Sequence, residues 1–204
     1  MEPNNKEQAA PVSTKNPTPR WKQWAKDGLD LVKFALIALV IVLPIRFFVA
    51  QPFIVSGSSM FHTFQNGQYL IVDELSYHFR APQRDDVIIF HYPLNTKLYF
   101  IKRIIGLPNE TIIINKGVVT IKNAEHPDGF VLAEPYINEP FATDGTYTTG
   151  PDQYFVMGDN RNYSSDSRVW GTVPGNLIVG RAYLRLFPFS ELAVLPGHVT
   201  PSTE

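Results

Sequence analysis

The sequence predicts a mainly β protein with a single helix near its N-terminal end. Three observations carry that expectation. Seven short runs rich in Val, Ile, Tyr and Phe lie between residues 68 and 187, separated by Pro, Gly and Asn breakers. No amphipathic stretch of helical length interrupts them, so the pattern does not read as parallel βαβ units. An antiparallel sheet or barrel-like domain fits instead. The one long apolar stretch precedes them, at residues 31–50.

Composition narrows the chemistry. Apolar residues make up 44% of the 204 residues and charged residues only 18%, enough to bury a core and below the roughly 25% charge usual in soluble domains. A net charge of −1 supplies no field to hold nucleic acid. The absence of Cys excludes disulfides, a thiol nucleophile and Cys-ligated metal sites. No metal or cofactor motif is present, and oligomeric state is not readable.

Taken in order, residues 1–20 are polar and Pro-rich and read as a disordered tail, and 21–30 add Lys22, Lys26 and two Trp, making 1–30 a basic cytoplasmic segment. From Phe34 to Ile45 nothing is charged, but twelve residues are too few to cross a bilayer. Lys33 and Arg46 at the two ends can snorkel outward, and Phe47–Ala50 extend the apolar run. Residues 31–50 then form a transmembrane anchor, about 30 Å long at ~1.5 Å per residue. Basic residues precede it, and after Arg46 none occurs until Arg80. The positive-inside rule puts the N-terminus in the cytoplasm and residues 51–204 outside. A cleaved signal peptide fits poorly: with Ala50 at −1, the bulky Phe48 falls at −3.

Residues 51–204 read as one extracytoplasmic β-rich domain. The expected strands are 68–75, 86–92, 98–105, 111–115, 117–122, 153–158 and 176–187, with a tight hairpin at Ile114–Val118. Residues 123–150 have weak strand signals and read as a loop-rich insertion.

Three segments carry chemistry. In residues 55–64, Gly57 stands two residues before Ser59, which allows tight folding around an exposed hydroxyl and main-chain N–H groups facing an oxyanion. In residues 98–110, Lys102 sits within an apolar strand. There it shares a face with Leu98, Phe100 and Ile104, with Arg103 opposite. Buried, its pKa would fall and the neutral amine could act as general base. The segment alone leaves open whether Lys102 or Arg103 faces solvent. Residues 156–171 crowd Asp159, Asn160, Arg161, Ser164, Asp166 and Arg168 into a turn. EF-hand spacing fails there, because Arg161 and Tyr163 stand where oxygen ligands are needed. A polar surface turn and a buried Asp166–Arg168 pair bracing a site both remain open.

In combination and order, residues 46–64, 98–110 and 156–181 resemble the bacterial type I signal peptidases, membrane-anchored Ser-Lys proteases that remove signal peptides. The resemblance implies Ser59 as nucleophile and Lys102 as general base, with Gly57 beside the oxyanion hole. It implies that Ser164 hydrogen-bonds the lysine, that Asp166 and Arg168 support the site, and that no cofactor is needed. It also implies preprotein substrates with small residues at −1 and −3, fitted by apolar walls at Phe53, Val55, Met60 and Ile101, and a place in the bacterial plasma membrane. His62 stands where the family usually has Pro, Phe64 replaces Leu and Asn109 replaces Gly. A Ser59–His62 pair lacks an orienting carboxylate, and His78, His91, His126 and His198 read as solvated or packed residues. Two rivals remain: a self-cleaving Ser-Lys protease of the repressor type, and an anchored β-domain that only binds.

Overall fold

The computed structural model describes residues 20–44 and 50–199. The expected disordered tail, save Arg20, and the apolar extension Phe47–Val49 with its flanking Arg46 lie outside the described residues. The chain divides into two units, Met1–Leu43 and Pro44–Glu204.

The first unit contributes the helix α1 (Arg20–Pro44). Asp27 and Asp30 occupy its N-terminal half and Lys33 lies near its middle, and Pro44 is its last described residue. From Phe34 to Val42 its apolar side chains are largely exposed, with Phe34 at 72% and Val40 at 66%. Among the described residues no helix is long and apolar enough to cross a membrane.

In the second unit the chain forms β1 (Ala50–Ile54), β2 (Tyr69–Asp73), β3 (Val87–Tyr92), β4 (Asn95–Gly106), β5 (Thr111–Asn115), β6 (Val118–Lys122), β7 (Phe130–Val131), β8 (Gly145–Thr148) and β9 (Gln153–Met157). A four-residue helix α2 (Ser167–Trp170) follows, then β10 (Val173–Pro174), β11 (Ile178–Phe187) and β12 (Ala193–Val194). All seven runs expected as strands form strands. The architecture is mainly antiparallel β, in two sheets. The larger has the order β1-β2-β11-β3-β4-β9-β10, with β12 on β11, and the smaller has the order β7-β6-β5-β8. The larger sheet runs from β1 to β10 without these ends pairing, so the described strands form an open sheet rather than a closed barrel.

Five strands go beyond the expectation. β1 begins at Ala50, the last residue of the expected anchor, and runs through Gln51 and Pro52 to Phe53 and Ile54. It lies at the sheet edge, where the missing N–H of Pro52 is tolerated. β7 and β8 come from residues 123–150, so that insertion is only partly loop. Each adds an edge strand to the smaller sheet. The hairpin between β5 and β6 turns through Lys116 and Gly117, with φ of 48° and 81°. This is the positive-φ pair that two-residue hairpins favour.

The packing explains the site. On one face of the larger sheet Val87 and Ile89 join Val55, Met60, Phe64 and Leu70. On the other, Ile88 and Phe90 join Ile104, Tyr154 and Val156. A third cluster ties Ile105, Phe155 and Met157 to Ile112, Ile114 and Ile121 of the smaller sheet. The second half of β4 is therefore covered on both faces, so its alternation does not separate a wet side from a dry one.

Candidate active site

β4 lies between β3, with Ile88 opposite Lys102, and β9, with Met157 opposite Arg103. Lys102 is buried as its apolar surroundings suggest, at 4% exposed, but Arg103 on the opposite face is fully buried too, so neither cation faces solvent. Lys102 Nζ lies 2.7 Å from Ser59 Oγ and donates to the Ile101 carbonyl at 2.9 Å. Burial lowers its pKa to about 8, against a weaker opposing pull from the Asp166 and Asp159 charges.

Ser59 sits on the turn between β1 and β2. That loop is held from several sides. The Gly57 amide donates to Asn66 Oδ1 at 3.0 Å, and the Phe61 amide to the Ser58 carbonyl at 3.0 Å. Asn160 donates its backbone N–H to the Ser59 carbonyl and its Nδ2 to the Ser58 carbonyl, each at 3.0 Å. Thr63 Oγ1 donates to Asp159 Oδ2 at 2.5 Å. Gly158 has to be Gly, because a Cβ there would stand 2.3 Å from the Ser59 carbonyl oxygen.

Beside the Ser59–Lys102 pair runs a cleft of about 370 Å³ lined by Phe53, Val55, Leu70, Ile89, Tyr99 and Ile101, with Gly57 and Ser58 at the hydroxyl. Of the four expected walls, Phe53, Val55 and Ile101 line it. Met60 does not: it is 1% exposed and packs in the core beneath the loop. Its side chain follows the hydrophobic cluster, whereas the next residue, Phe61, is exposed.

Three further expectations concern support. Asp166 is fully buried and receives Arg168 Nε and Nη2, both at 2.8 Å, together with the Gly158 amide at 3.1 Å. Gly57 lines the cleft, but its amide is taken by Asn66. Among the described residues no hydrogen bond engages the Ser59 amide. Ser164 departs from the implication: its buried Oγ has no hydrogen-bond partner in the described structure and lies against Gly158, while Lys102 turns to Ser59 and the Ile101 carbonyl.

Some residues around the site were given no role by the sequence. Arg103 makes a bidentate pair with Asp159 at 2.8 and 2.6 Å, donates to the Asp85 and Gly197 carbonyls, and stacks 3.9 Å over the Tyr136 ring. Arg161 pairs with Glu134 nearby. Asn66 precedes Gly67 and reads as a turn former. Asn160 reads as one more polar residue in a turn. Their partners lie too far along the chain for spacing to reveal.

A serine hydroxyl in contact with a desolvated lysine amine, on an antiparallel β-domain, defines the class of Ser-Lys hydrolase sites. Residues 28–187 match the family described as signal peptidase, peptidase S26. A probable signal peptidase I-1 of Synechocystis sp. is 43% identical over 184 residues, covering 86% of this chain and 89% of that one. A signal peptidase I of Leptolyngbya laminosa is 39% identical over 179 residues, covering 82% and 83%. A signal peptidase I of Bacillus caldolyticus is 36% identical, covering 77% and 90%. The chain belongs to the signal peptidase family, peptidase S26.

Proposed function

We propose that this chain is a serine endopeptidase that removes signal peptides from exported precursors, with Ser59 as nucleophile and Lys102 as general base. The 2.7 Å contact between Ser59 Oγ and a buried Lys102 Nζ carries the reading. A neutral amine accepts the hydroxyl proton as Ser59 attacks the scissile carbonyl. Lys102 then protonates the departing amine and later activates the deacylating water. The Ser59 amide faces the tetrahedral oxyanion, and the Asp166–Arg168 pair braces the turn through the Gly158 amide. Phe53, Val55 and Ile101 favour small side chains beside the scissile bond by shape.

The test is incubation of the full chain in detergent with a precursor carrying an Ala-x-Ala site. Wild type is expected to cut after the second Ala, and Ser59→Ala and Lys102→Ala to lose turnover by about 10⁴-fold or more. Equal cutting by both variants would refute the assignment.

The same reading includes a membrane anchor at residues 31–50, with the N-terminus in the cytoplasm and the lipid bilayer as partner. Its support is the uncharged run from Phe34 to Ile45 and the basic residues before it. Because the chain has no Cys, a single introduced thiol reports topology cleanly. In intact cells an impermeant maleimide is expected to label Glu125→Cys and to spare Thr14→Cys. The reverse pattern would overturn the orientation.

A further inference from the structure

We infer that Asn160 is a positioning residue of the oxyanion site, aiming the Ser59 amide through the peptide unit that joins Ser58 to Ser59. This inference rests on the peptidase reading above.

Asn160 precedes a short 3-10 turn at Arg161–Tyr163, the position at which an Asn side chain ordinarily caps the helix. It makes no such cap. Its Nδ2 instead donates to the Ser58 carbonyl, 102 residues earlier in the chain, at 3.0 Å. Its backbone N–H donates to the Ser59 carbonyl at the same distance. One residue thus holds the carbonyls on both sides of the nucleophile.

The peptide between Ser58 and Ser59 is planar and trans. In such a unit the C=O and N–H bonds point in opposite directions. Pulling the Ser58 oxygen toward Asn160 therefore turns the Ser59 N–H the other way. That N–H is not engaged by another described residue, while the neighbouring Gly57 amide is already taken by Asn66. The Phe61 amide also contacts the Ser58 carbonyl, at 3.0 Å, but it belongs to the same loop and moves with it. Asn160 ties the loop to the segment after β9, which Asp166 holds through the Gly158 amide. The direction of the oxyanion donor is thereby referred to a rigid strand end.

Asn160→Asp tests this. It keeps shape and the backbone bond but replaces the Nδ2 donor with an acceptor facing the Ser58 oxygen. Deleting an oxyanion donor costs about 10²–10³ in kcat, so misaiming one is expected to cost about 10–100-fold. The loss should fall in kcat with KM little changed. A peptide boronic acid, which forms a tetrahedral adduct on the serine, should bind more weakly by a similar factor, and the matching product peptide should bind as before. Asn160→Ala, which removes the donor without adding charge, should follow with a smaller loss. Wild-type activity, or losses equal for boronate and product peptide, would overturn the inference while leaving the peptidase reading intact. A wild-type chain that cuts no precursor would overturn both.

Discussion

Lys102 and Arg103 are consecutive cations on the buried half of one strand, and they differ in how far their charge is matched. Arg103 is fully buried and meets a carboxylate with two hydrogen bonds, two backbone carbonyls and an aromatic face. Lys102 meets one hydroxyl and one carbonyl and lies 5.3 Å over the Phe100 ring, with no carboxylate in contact. The same burial therefore has opposite consequences. A compensated cation keeps its charge and ties β4 to the turn after β9 and to the C-terminal segment at Gly197. An uncompensated one loses its proton readily, and a base is made from it.

The contrast can be broken by the same substitution at both positions. Lys102→Met is expected to lower precursor cleavage by about 10⁴-fold or more. Its thermal midpoint should match or exceed that of the wild type, because a poorly paired buried charge is replaced by an apolar chain of similar length. Arg103→Met should do the reverse in stability, losing about 3–5 kcal/mol in denaturant unfolding, because the Asp159 carboxylate is left buried and unpaired. If both variants unfold alike, the two environments are not as different as their contacts imply.

The smallest effect is a pH profile. The cleavage step needs neutral Lys102, and burial has lowered its pKa to about 8. As pH rises through that value the amine loses its proton, so kcat/KM should climb with a midpoint about pH 8 and level off above it. An ascending limb centred near the ordinary lysine value of about 10.4 would refute desolvation as the cause.

Much of this was legible in the chain order of residues. The seven strand runs and the hairpin at Lys116-Gly117 follow from β-branched and aromatic composition and from turn chemistry, which act locally. Ser59 and Lys102 were legible as a pair through the resemblance of their surrounding segments, not through their 43-residue separation. β1 was hidden because it begins in the last residue of the expected anchor and Pro52 interrupts its pattern. β7 and β8 were hidden because two to four residues make too short a pattern to show a period.

The sequence by itself determined the class of elements, the order of the segments around Ser59, Lys102 and Asp166, and the exclusion of thiol chemistry. Only the tertiary structure decided that Lys102 and Arg103 are both buried, that Met60 belongs to the core rather than the cleft, that Ser164 leaves the lysine alone, and that Asn160 grips the nucleophile turn. The physical reason is that alternation along a strand assigns a side chain to a face but does not say what covers that face. Whether a charge there is matched depends on partners such as Asp159, which sits 56 residues away from Arg103.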